Sequence, residues 1–141
     1  MATGCRVYSG GNIITTSSWQ AAAVPSELYD YGGCHSTVSN TDRITPPTKG
    51  VYVFSGYAKF PSNSTGHRGI RIVTNNGTVL VQVQIPANGS SLATPLEVST
   101  VMEFDPAGGF NQYAKLELYQ SSGGNLTTDT TEFAAHLIEA T

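Results

Sequence analysis

The chain has 141 residues, a net charge of −3 and only 12% charged residues, about half the roughly 25% usual in soluble domains. That length fits one domain, residues 1–141, with a core that needs neither disulfides nor a metal. The charge pattern has no run of Lys or Arg, which excludes a phosphate-reading nucleic-acid surface. No apolar run approaches the roughly 18 residues of a membrane span.

Met1–Asn12 lacks the basic-then-apolar pattern of a secretory signal. Trp19–Val24 comes nearest to a helix and stops at Pro25. Elsewhere short β-branched and aromatic runs are cut by Gly, Pro, Asn and Ser, the pattern of an all-β sandwich or barrel. Val51–Phe60 is the clearest strand and follows the Pro46–Gly50 turn. Tyr52, Phe54 and Phe60 share one face; Val51, Val53 and Tyr57 share the other. A strand with large side chains on both faces is covered on both sides: one by the second sheet, the other by a further copy of the chain.

Asn76-Gly77 tolerates the positive φ of a tight hairpin turn and joins Ile70–Asn75 to Thr78–Ile85. In the second arm Val79, Val81, Val83 and Ile85 alternate with Leu80, Gln82 and Gln84. Pro95–Phe104 reads as a strand, ended by the Asp105–Gly109 loop. Tyr113–Gln120 alternates again, with Ala114, Leu116 and Leu118 opposite Tyr113, Lys115, Glu117 and Tyr119. The Ser121–Asn125 break leads to a last strand, Thr131–Ile138.

Few residues offer chemistry. Cys5 and Cys34 read as free thiols, because small disulfide scaffolds carry more cysteines. His35, His67 and His136 are scattered, and a Cys5/Cys34/His35 set lacks the four ligands of structural zinc. Asp30, Asp42, Asp105 and Asp129 are the carboxylates a calcium ion would use, but their spacing fits no loop motif. His67, Arg68 and Arg71 form the single local cationic cluster and are the candidate anion or glycan contact. Tyr8, Trp19, Tyr29 and Tyr31 would stack on sugars if exposed; such aromatics more often belong to a core or interface. No nucleophile elbow and no phosphate-cradling loop occurs, so no catalytic residue and no cofactor is assigned. Sequons at Asn63, Asn76, Asn88 and Asn125 reflect a surface rich in Ser, Thr and Asn.

Taken in order, these segments resemble the globular head of the complement component q subunit, within the tumour-necrosis-factor superfamily, and its bacterial and phage branch most of all. The likeness is carried by Arg6-Val7-Tyr8, Trp19, Glu27-Leu28-Tyr29-Asp30, His35-Ser36 and Asn40–Pro46. It continues through Gly50-Val51-Tyr52-Val53-Phe54, which fits the family's Gly-x-Tyr-x-Phe core, then Ser64–Arg68, Leu116–Gly124 and Phe133–Ile138. It spans about residues 6–138. There are two departures. Gly109-Phe110-Asn111-Gln112 stands where the family has Gly-Asp, and no collagen-like repeat precedes the domain.

The resemblance implies a ten-stranded antiparallel jelly-roll sandwich assembled as a homotrimer. It implies no single function, since the fold hosts many. The expected role is a non-enzymatic structural or adhesive trimer on a phage virion, made in the host cytoplasm: a capsid decoration protein or fibre tip. Its partners would be capsid or fibre proteins. The alternative is an extracellular or cell-surface module that binds carbohydrate or a protein receptor. Some relatives bind calcium near the trimer apex, but no ligand motif carries over here. In the superfamily one sheet faces the threefold axis. Matched onto this chain, Val51–Phe60, Tyr113–Gln120 and Thr131–Ile138 supply it, with Val53, Tyr57, Tyr113, Tyr119, Phe133 and Leu137 at the contact and Tyr57, Tyr119 and Phe133 as an aromatic girdle.

Overall fold

A computed structural model describes residues 2–89, 91–108 and 111–141. All regular structure among them is β. The strands are β1 (Gly4–Ser9), β2 (Ile13–Ile14), β3 (Gln20–Ala21), β4 (Ser26–Tyr31), β5 (Arg43–Ile44), β6 (Gly50–Phe60), β7 (His67–Thr74), β8 (Val79–Pro86), β9 (Thr94–Phe104), β10 (Ala114–Gln120), β11 (Leu126–Thr127) and β12 (Thr130–Ala140). Two five-stranded sheets form the sandwich. The first runs β4-β1-β12-β6-β9; the second runs β3-β10-β7-β8, with β5 also paired to β10. Together they give the expected ten antiparallel strands, and a short β2–β11 ladder adds to them.

The period of two in β6 is realised as read. Tyr52, Phe54, Ala58 and Phe60 are fully buried, whereas Val51, Val53, Tyr57 and Lys59 stay partly open on the opposite face. Leu116 and Leu118 of β10 meet them from the second sheet with Ile70 and Ile72 of β7, all fully buried. The Phe54 ring lies 4.9 Å from Phe104 and 6.0 Å from Phe133, centroid to centroid. Gly56 allows this close approach of the sheets, because a Cβ there would strike Leu116 Cδ1.

The Asn76-Gly77 turn joins β7 to β8 as expected, with Gly77 at φ 81°. Trp19–Val24 is no helix; it holds the two-residue strand β3 against β10. Of the segment that departs from the family's Gly-Asp, Gly109 and Phe110 lie outside the described residues. Asn111 is buried, with φ 51°, and donates to the Glu103 carbonyl at 3.1 Å.

One assignment of strands to sheets is corrected. β10 belongs to the second sheet, paired along its whole length with β7 from Ala114↔Thr74 to Gln120↔Arg68. The sheet that contains β6 and β12 is completed by β1, β4 and β9 instead.

Candidate functional site

The open face of the first sheet carries the most developed surface feature. Its centre is a floor of small side chains in register: Ala134 of β12 opposes Ser55 of β6, which opposes Ser99 of β9. Alternation places larger groups around this floor. Tyr57 lies between Glu132 and Glu97, and Val53 between His136 and Val101. Arg6 of β1 donates to Glu132 Oε1 at 2.9 Å. The Tyr29 hydroxyl shares a 2.5 Å hydrogen bond with His136 Nε2, and the Tyr29 ring stacks on Tyr31 at 5.1 Å. Small floor and tall walls make a depression of about 690 Å³.

This surface suits the packing of side chains from another molecule. It is lined by Tyr, Ser and Ala together with the Arg6–Glu132 ion pair, His136 and Glu97. Its hydroxyl–imidazole contact is that of Tyr29 with His136.

The residues expected at a threefold contact do not all gather here. Val53 and Tyr57 lie on this face. Tyr113 and Tyr119 project from the second sheet instead. The Arg43 guanidinium lies 3.9 Å over the Tyr113 ring, and Tyr119 packs on Trp19 at 5.3 Å. Phe133 points inward and is fully buried beside Phe54. Leu137, on the same parity, packs against the core margin. The aromatic girdle of Tyr57, Tyr119 and Phe133 is therefore divided among an open face, the opposite sheet and the core. Arg6, Tyr29, Glu97, Glu132 and His136 were missed. For two of them the signal lay in the last strand, where Glu132 and His136 alternate with Phe133 and Ala135.

His67, Arg68 and Arg71 do not form one cationic site either. Alternation puts Arg68 on the inner face of β7, where it is fully buried. It donates 2.9 Å hydrogen bonds to the carbonyls of Asn63, Thr65 and His67, tying down the loop before its own strand. Burial pulls its pKa below the ordinary arginine value. Arg71, four residues from His67 and so roughly 13 Å along the strand, is held by Glu117 at 2.7 Å and lies 4.2 Å over Trp19. Arg68→Ala would leave the Asn63 and Thr65 carbonyls short of a donor, while His67 keeps the Ser121 N–H, and would open a cavity. The expected loss is about 2–4 kcal/mol, read from the denaturant midpoint. A loss under about 0.5 kcal/mol would show that these bonds add nothing net.

The four aspartates are also apart. Asp42 pairs with Lys115 at 3.2 Å, Asp105 with Lys49 at 4.0 Å and Asp129 with Lys59 at 3.8 Å. Asp30 instead caps the turn after β4. Its Oδ1 accepts the Cys34 N–H at 2.7 Å and its Oδ2 accepts the His35 N–H at 3.2 Å. Cys5 and Cys34 are both free and buried. A hydrogen bond between them, then burial, pushes the Cys5 thiol well above the ordinary cysteine range. The His35 ring is turned from the thiols, with Nδ1 2.9 Å from Glu27 Oε1 and Nε2 3.2 Å from the Thr41 carbonyl.

No helix among the described residues is long and apolar enough to cross a membrane. The sequence matches no family model and no curated protein. Solved structures do match. The globular domain of zebrafish complement 1qA aligns over 100% of both chains at 14% identity, with a TM-score of 0.67. The PRD1 vertex protein P5 aligns over 96% of this chain and 73% of its own at 17% identity, with a TM-score of 0.72. The Eiger tumour necrosis factor of S. frugiperda aligns over 99% of this chain and 94% of its own at 10% identity, with a TM-score of 0.62. Two five-stranded sheets, the face they expose and these alignments agree: the chain has the jelly-roll fold shared by complement 1q heads, tumour necrosis factors and the PRD1 vertex protein.

Proposed function

We propose that the chain is a non-enzymatic homotrimer that serves as a structural or adhesive component of a phage virion surface, as a capsid decoration protein or fibre tip. The observation that carries the trimer is the open face of the first sheet. Its Ala134–Ser55–Ser99 floor is walled by Tyr57, Tyr29 and the Arg6–Glu132 pair in a depression of about 690 Å³. A surface that is concave and rich in Tyr favours protein contact, because Tyr buries apolar area while its hydroxyl still finds a partner. In the proposed assembly the face of each copy packs on its neighbours around a threefold axis, and the second sheet faces outward.

The virion role is supported by the likeness to a phage vertex protein over 96% of this chain. The second sheet fits an outward position. Arg43 with Tyr113, Asp42 with Lys115, and Arg71 with Glu117 and Trp19 keep its outer side chains matched and wet. The test is co-sedimentation of the purified chain with phage particles that lack it. Saturable binding in multiples of three copies supports the reading. Binding to a glycan array or to host cells, with none to particles, would replace it with a recognition module.

A further inference from the structure

We propose that Cys5, Cys34 and Asp30 form a binding site for a thiophilic divalent cation of the zinc and cadmium class. β1 and β4 pair Cys5 directly with Asp30, and the turn that Asp30 caps returns Cys34 to the same point. The two sulfurs and a carboxylate oxygen all lie within 4.8 Å of one another. Zinc bonds of about 2.3 Å to sulfur and 2.0 Å to oxygen put tetrahedral donors about 3.3–3.8 Å apart. The donors therefore need to close by at most about 1–1.5 Å.

Three further features fit a cation. Both thiols are within 1% of full burial, so water does not compete for their side of the site. Asp30 is held by two backbone N–H groups and stays oriented without a metal. Cys34 also borders a depression of about 230 Å³ with Gly33, Ser36 and Asn40, so the site lies close under the surface. His35 is not a ligand, since both its ring nitrogens face other partners.

Binding is redox-neutral. Each thiol gives its proton to solvent, and the two thiolates and the Asp30 carboxylate bond to the cation. Two protons leave as two positive charges arrive, so the net charge of the buried site is unchanged. Disulfide formation is the competing fate. It needs a thiolate as nucleophile and a two-electron oxidant such as dissolved oxygen, whereas cation binding needs no oxidant.

The test titrates reduced, metal-free protein with cadmium chloride. One cadmium per chain by native mass spectrometry, about two protons released per cadmium and an ultraviolet sulfur-to-cadmium charge-transfer band are expected. Cys5→Ser and Cys34→Ser should each weaken or remove that band. Asp30→Asn should keep it while lowering affinity at least ~10-fold. Proton release and the band are read on the wild-type chain, so the test stands if a serine variant fails to fold. Cadmium binding without band or proton release, or air-purified protein lighter by two protons, would overturn the site.

Discussion

Replacing Val53 and Tyr57 together by aspartate should convert the trimer to folded monomers. Both side chains stand on the open face of the first sheet, Val53 beside Val101 and Tyr57 between Glu97 and Glu132. In the proposed assembly each new carboxylate would be buried against a neighbour, and Arg6 of this face is already paired with Glu132. An unpaired buried charge costs about 3–5 kcal/mol, and a threefold assembly repeats that cost in every copy. Within one chain the change is milder, because the face is open to water and like charges opposite one another cost only about 0.2–1 kcal/mol. Sedimentation velocity should report one-chain mass with an unchanged far-ultraviolet spectrum. Tyr119→Asp is the matched control. Tyr119 packs on Trp19 from the second sheet, so that variant should remain trimeric. If Tyr119→Asp dissociates the assembly and the double variant does not, the second sheet forms the contact.

The second large effect lies in the core. Phe54→Ala should cost about 3–5 kcal/mol. The ring is fully buried and packs between Phe104 and Phe133. These neighbours belong to the two strands that flank β6, and their backbones are pinned by the β12–β6–β9 pairing. They have little freedom to collapse into the vacated space, which keeps the cavity cost high. Unfolding of an oligomer depends on concentration, so urea midpoints are compared at one chain concentration. A loss below about 1 kcal/mol would mean that the site closes by repacking.

Much of the fold was legible because strand side chains have a period of two. That period placed Tyr52, Phe54, Leu116 and Leu118 in the core and Val53 and Tyr57 outside it, as the burial confirms. Asn76-Gly77 marked its hairpin through backbone chemistry alone. Which sheet a strand joins is a different kind of information. The alternation of β10 defines its two faces, but its pairing with β7 is set by contacts some forty residues away in sequence. Tyr113 and Tyr119 were therefore given the right outward parity on the wrong sheet. Phe133 was legible and misread. Glu132 and His136 flank it on the opposite parity, and an aromatic residue was assigned to a contact against that pattern. Arg68 is the reverse case. Alternation puts it opposite His67, but a buried arginine runs against ordinary burial preferences, and only the carbonyls of Asn63, Thr65 and His67 that it binds account for it. The meeting of Cys5, Asp30 and Cys34 joins positions far apart in the chain and depends on the β1–β4 register.

The central claim is that the open face of the first sheet is covered by further copies of the chain. Light scattering coupled to size exclusion tests it most directly, at micromolar concentration and physiological salt. A mass of three times 14.9 kDa is predicted. A single species at 14.9 kDa would contradict it.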